Sequence, residues 1–450
     1  MGERLAEKSL EQLLAGEIPC SCGKTHHCGL REVALGHGVA AQTAEVLMRQ
    51  GIHHPFVVCD VQTRAAALAQ VEASLQQAGL TYTVYTFPAG HLVPDEAAVG
   101  ALLMAFDPRC DGVLAVGSGV INDCCKVLAH GTGRPQVVVG TAPSMDGYAS
   151  SSASMVRERV KVSLDTGCPV AIVADTAIMK DAPMRMLQAG YGDMIAKYCA
   201  LCEWRISALV TGESYCEEIA ELVRASLRRV MEAADRLPQR DEEAVGRVVE
   251  GLILSGMAMA FAGHSRPASG EEHYFSHMWE MMELDRGEES ELHGIQVGVG
   301  TLLTLRVCDW LRGRTPDVAQ AAQCFAEFDP DAWEREVKRI FGKAAPAILT
   351  GEKERYHKNS PERHAAHLQC IADHWAEIRQ AMEQELPDTE ALMAQMRRLG
   401  MPMTPADLDI APQDVVDAWT GSREIRDKYL VSSLCWDLGW MRAAEEALMQ

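Results

Sequence analysis

Positive charge is in short supply in this chain: 42 Lys and Arg stand against 63 Asp and Glu, a formal net charge of −21. A surface field of that sign excludes a nucleic-acid backbone or an anionic membrane as a partner, and admits an anionic small substrate only where a local basic pocket overrides it. A secretory leader is not expected either, because the opening MGERLAEKSLEQLL is charged and amphipathic with no apolar core. The longest apolar run, around Gly251 to Gly263, falls short of the roughly 18 to 20 residues that a membrane span needs, so no membrane insertion is expected. Paired CxxC units are missing too. The 15 cysteines are scattered, and Cys59, Cys110, Cys124, Cys125, Cys199 and Cys202 lie in or beside apolar stretches. Buried, reduced thiols of a cytoplasmic protein account for them better than a disulfide framework does. Internal repeats and low-complexity tracts are absent.

What is present reads as two textures. Five short apolar runs, Pro55 to Asp60, Tyr82 to Phe87, Gly112 to Gly117, Gln136 to Gly140 and Val170 to Asp175, follow a helical stretch at Ala40 to Gln50. Amphipathic segments at Thr63 to Ala78, Asp95 to Phe106 and Val120 to His130 separate the first four. Near-continuous strands alternating with helices imply a doubly wound, mostly parallel, Rossmann-like α/β domain. Val156 to Leu164 alternates with period two and predicts an exposed hairpin. After Asp181 strand patterns vanish and long helical patterns run to the end, including Pro361 to Glu385 and Thr420 to Glu446. The expectation is an α/β domain over 1–180 and an all-helical domain over 181–450, the tail serving for packing or subunit contact.

Four stretches carry chemistry. Gly117-Ser118-Gly119-Val120-Ile121 ends a strand and opens a helix, where small residues and N–H donors suit a pyrophosphate. A plain tight turn explains the same residues on their own. The next strand ends in Thr141-Ala142-Pro143-Ser144-Met145-Asp146, continuing to Ser150, and loops at strand C-termini are where open α/β sheets bind ligands, although turn capping also accounts for its hydroxyls. Asp193, in GYGDMIAKY, is either a helix cap or a carboxylate ligand. His273 and His277 in EEHYFSH lie four residues apart on one helix face, with His293 following. Imidazoles with one carboxylate suit a divalent transition metal and leave positions open for substrate. On spacing alone His264 is an alternative ligand, while His53 and His54 read as loop residues. A separate cluster, Cys20, Cys22, His26, His27 and Cys28, has spacing that admits a small accessory metal site.

Taken in order, GSGVIND, TAPSMDGYASS, GYGDMIAKY, SRPASGEEHYFSH and LHGIQVG resemble the sn-glycerol-1-phosphate dehydrogenases of the iron-containing alcohol dehydrogenase and dehydroquinate synthase superfamily. The resemblance runs from about Glu32 to Val307 and more faintly through SREIRDKYLVSSLCWDLGW. It implies reversible reduction of dihydroxyacetone phosphate by NAD(H) or NADP(H), with one divalent metal, zinc or nickel, on Asp193, His273 and His293. It implies substrate contacts from Asp146, Asp193 and His277, with His277 and Asp193 as the catalytic pair. Gly117 to Ile121, Thr141 to Ser144 and Ser150 are the implied dinucleotide contacts, with Asp60 added at the end of its strand. The sheet domain thus becomes the dinucleotide-binding half, and the helical domain the half that binds metal and substrate. A homo-oligomer, dimer or larger, is expected. Arg266 and Lys161 are candidates for the substrate phosphate. In the hairpin, Arg159 stands where the family often has glycine. A dehydroquinate synthase-like lyase is disfavoured by Asp193, where that branch has glutamate. A dehydrogenase of unphosphorylated polyols and a non-catalytic binding protein are the other readings.

Overall fold

The structure, a computed structural model, describes residues 4–158 and 160–449; Arg159 therefore lies outside the described residues. Among the described residues ten strands occur in chain order. β1 (Ile18–Pro19) and β2 (Thr25–His26) form a two-residue antiparallel ribbon. β3 (Glu32–Gly36), β4 (Pro55–Asp60), β5 (Thr83–Phe87), β6 (Gly112–Gly117), β7 (Gln136–Gly140) and β10 (Ala171–Asp175) build a parallel sheet in the order β3-β10-β7-β6-β4-β5. β8 (Ser152–Arg157) and β9 (Val160–Asp165) pair as an antiparallel hairpin, so the expected hairpin is present and begins earlier than its alternation suggested.

Every residue of β6, β7 and β10 is buried, which is why these runs are apolar throughout instead of alternating. From β4 the chain steps to β5 on one side and to β6, β7 and β10 on the other, so the strand order reverses between β4 and β6. Ligands of open α/β sheets bind outside the strand C-termini at such a switch point. The residues that end there are Asp60 and Gly117.

The chain separates into two compact units: 1–194 with 216–268, and 195–215 with 269–450. A single boundary near Lys180 does not reproduce this division. Helices Glu217–Ala233 and Glu242–Ala262 pack on each other, and the second also packs on the short turn at Asp146–Ala149, which draws both into the sheet unit. Glu242–Ala262 contains the apolar run noted above. By length and composition this 21-residue helix equals a membrane span, yet 72% of its apolar window is buried within the protein, as in a core helix.

The second unit is helical. Helix Lys197–Thr211 packs along the long helix Pro361–Glu385, and helix Glu271–Arg286 packs along His293–Arg312. The expected single helix Thr420–Glu446 is instead three: Pro412–Ser422, Val431–Asp437 and Met441–Leu448. The break follows Ser422. There the buried Arg423 pairs with Glu424 at 2.7 Å and its carbonyl takes a bond from buried Lys358, partners that a helical periodicity does not register.

Candidate functional site

In the first unit the candidate ligand surface is made largely of backbone. Ser118 is the N-cap of helix Gly119–Thr132, which follows β6 directly, so the first N–H groups of a 14-residue helix stand at the switch point. Gly117 has no alternative, since a Cβ there would come within 2.6 Å of Ile121 Cβ. Thr141, Ala142 and Ser144 are buried at the end of β7. The loop beyond is pinned by a residue the motifs did not single out. Lys126, 1% exposed, sends its ammonium to the Gly147 carbonyl (2.7 Å), the Ser150 carbonyl (2.8 Å), Ser150 Oγ (3.0 Å) and the Ser152 carbonyl (3.0 Å). Burial holds its pKa below the usual lysine value. Ser150 Oγ is thereby engaged inside the fold. Asp60 accepts the Thr63 N–H at 2.7 Å and so caps the helix that follows β4.

Asp193 is 1% exposed and lies in helix Met184–Ile195, so it is not that helix's cap. Its Oδ2 accepts the Asp146 N–H at 2.8 Å, while Asp146 Oδ2 accepts the Ser255 hydroxyl at 2.8 Å. The two carboxylates named from the sequence are therefore neighbours within the first unit. Arg266 is buried, and its N–H reaches His264 Nδ1 at 3.4 Å. The backbone N–H groups of His53 and His54 donate to Asp111 in a loop.

The second unit gathers imidazoles. His273 and His277 project from helix Glu271–Arg286, and His293 begins the next helix. Ring centroids are 5.3 Å apart for His273 and His293, 5.4 Å for His277 and His293, and 6.3 Å for His273 and His277. The two helices come this close because Gly300 has no side chain: a Cβ would sit 2.5 Å from the Glu272 carbonyl oxygen. Partners then orient the rings. Glu272 Oε1 lies 2.9 Å from His273 Nδ1 and also accepts the Gly270 N–H at 2.6 Å. Ser276 donates its hydroxyl to Gln296 at 3.0 Å, so at 3.0 Å from His293 Nδ1 it accepts. Glu280 Oε1, 3.1 Å from the same nitrogen, accepts too, and its Oε2 is 3.7 Å from His277 Nδ1. Nδ1–H of His293 is thus the donor and Nε2 carries the lone pair.

Glu280 was missed in the sequence, although His277 and Glu280 are three apart on one helix and share a face. With His277 and His293 it forms a group whose ligand atoms all lie within 4.8 Å. Imidazole nitrogens backed by carboxylates on their far side match how metal-binding histidines are held, and the donor set fits a divalent transition metal.

Of the Cys/His cluster near the start of the chain, Cys20, Cys22 and His26 converge, joined by Cys216. His27 is exposed, and Cys28 Sγ turns away to the Leu30 carbonyl at 3.7 Å.

The fold is shared with dehydrogenases of solved structure. A probable glycerol dehydrogenase from Sinorhizobium meliloti superposes with a TM-score of 0.60 at 18% identity, covering 93% of this chain and 97% of that one. A profile described as iron-containing alcohol dehydrogenase matches residues 34–183. Glycerol-1-phosphate dehydrogenase [NAD(P)+] of Halalkalibacterium halodurans is 35% identical over 288 residues, 63% of this chain and 72% of that protein. The protein of the same name from Pyrococcus furiosus is 36% identical over 274 residues, 61% of this chain and 77% of that one. The chain belongs to the glycerol-1-phosphate dehydrogenase family of iron-containing alcohol dehydrogenases.

Proposed function

We propose that this protein reversibly reduces dihydroxyacetone phosphate to sn-glycerol 1-phosphate with NAD(P)H, using one divalent metal, zinc or nickel, bound by Asp193, His273 and His293. The observation that carries the site assignment is the convergence of His273, His277 and His293 with their Nδ1 atoms on the carboxylate side. Family membership carries the reaction. A divalent cation, when bound, acts as a Lewis acid toward the C2 oxygen of the substrate.

The remaining work falls to the chain. Glu272 and Ser276 fix the tautomers of His273 and His293, leaving Nε2 of each ring as the nitrogen that would hold the ion. Glu280 accepts from His293 Nδ1 at 3.1 Å and so orients that ring, and it stands 3.7 Å from His277 Nδ1. A bound nicotinamide would supply the hydride, and His277 would hold the proton given to the C2 oxygen and take it back in the reverse direction. Gly117 to Ile121, Thr141 to Ser144 and Asp60 receive the dinucleotide, where the N-terminus of helix Gly119–Thr132 favours a pyrophosphate, while Ser150, its hydroxyl bonded inside the fold, shapes the loop behind them. Asp146 contacts the substrate hydroxyls, held in place by Ser255 and Asp193. Arg266 and Lys161 serve the phosphate. Dimer or larger assembly in the cytoplasm completes this reading.

The test follows, on metal-reconstituted protein, NAD(P)H oxidation with dihydroxyacetone phosphate and NAD(P)+ reduction with glycerol and with both hands of glycerol phosphate. Turnover with dihydroxyacetone phosphate and sn-glycerol 1-phosphate alone is expected. Turnover confined to glycerol would make it a polyol dehydrogenase.

A further inference from the structure

The Cys/His cluster in the first unit lies outside the dehydrogenase chemistry, and its geometry is specific. The β1–β2 ribbon closes over a tight turn in which the Cys20 N–H donates to the Lys24 carbonyl at 3.0 Å and the Gly23 N–H to the Cys20 carbonyl at 3.1 Å, with Gly23 at φ +83°. This turn sets Cys20 and Cys22 on the same side as His26 of β2. Cys216 arrives from 190 residues away as the N-cap of helix Glu217–Ala233.

Three edges of the resulting figure are given by the structure. Cys20 Sγ to Cys216 Sγ is 3.6 Å, Cys22 Sγ to His26 Nε2 is 3.4 Å, and Cys216 Sγ to His26 Nε2 is 3.6 Å. All four ligand atoms fall within 4.8 Å of one another. A tetrahedral zinc ion, with Zn–S of about 2.3 Å and Zn–N of about 2.0 to 2.1 Å, sets its ligands about 3.5 to 3.8 Å apart. His26 is 2% exposed, and its Nδ1 is 3.0 Å from the Phe261 carbonyl, which fixes the tautomer and turns Nε2 toward the sulfurs. The Cys22 N–H points at Cys20 Sγ at 3.5 Å, a contact that stabilises a thiolate.

We propose that Cys20, Cys22, His26 and Cys216 form a second metal site, a closed Cys3His zinc centre with a structural role. Four protein ligands leave no position for substrate, and thiolates select zinc over the harder divalent ions. The ion ties the ribbon at the start of the chain to the cap of helix Glu217–Ala233. Through His26 and Phe261 it also reaches the end of helix Glu242–Ala262.

The two metal sites separate by spectroscopy, because only this one has sulfur ligands. Full-length protein exchanged into Co2+ under reducing, anaerobic conditions should show thiolate-to-cobalt absorption in the near ultraviolet. The band should weaken in Cys22→Ser, vanish in the Cys22→Ser/Cys216→Ser pair, and persist in His273→Ala, so its fate is independent of the dehydrogenase assignment. Zinc content of the wild type should exceed that of the pair by one equivalent per chain, and the pair should melt at lower temperature. A wild-type protein without the band overturns the site whatever the variants do. So does a band unchanged in the pair, or a Cys20–Cys216 disulfide mapped in protein kept reduced.

Discussion

The two units build their candidate sites from different materials. In the sheet unit the candidate surface consists of the end of a helix, a Gly-Ser-Gly turn and a loop whose polar groups are already bonded within the protein. In the helical unit the working atoms are ring nitrogens on two helices, each aimed by a neighbour. A backbone site tolerates changes in side-chain chemistry but not in volume. A side-chain site has the reverse sensitivity.

That contrast can be broken in four places. The largest effect is expected for His273→Ala, which removes a ligand: active-site metal and turnover should be lost together, as read by metal analysis and NAD(P)H oxidation. Retained stoichiometric metal would remove His273 from the ligand set. His277→Ala should keep the metal and lose about 10²- to 10⁴-fold in kcat, the usual weight of a positioned acid or base; wild-type turnover would end its catalytic role. Gly117→Ala tests the other unit by adding volume alone. With Ile121 Cβ 2.6 Å from the new methyl, a loss of about 1–3 kcal/mol in stability and a higher KM for NAD(P)H are expected, while metal content stays unchanged. The smallest effect concerns pH. Burial, with Glu272 and Glu271 beside it, pushes the Glu203 carboxyl well above the usual carboxylate range. The folded protein keeps a proton that the unfolded chain releases, so stability falls as pH rises past ordinary carboxylate values. Glu203→Gln should flatten that decline in a series of melting curves, and an unchanged slope would place the proton elsewhere.

The sheet was legible because strands buried on both faces are written as unbroken apolar runs, as at β6 and β7. β3 was not, since EVALG is a half-buried edge strand that begins with a charge. The ribbon β1–β2 was also missed, because two residues per strand carry no periodicity and the turn alone holds them. Histidines sharing a helix face were visible as spacing. Glu280 was visible in the same way and was passed over. Cys216 had no local signal, because its partners lie 190 to 196 residues away and only the tertiary fold brings them together. Lys126 reads as one more helix residue until its four acceptors, all contributed by another segment, are in place.

Lys126 also determines how the loop after β7 behaves. One ammonium group ties carbonyls at 147, 150 and 152, and opening the loop would strand that charge in an apolar interior. The loop is preorganised. A ligand arriving there finds its shape already set, and little of the binding free energy is spent on ordering it.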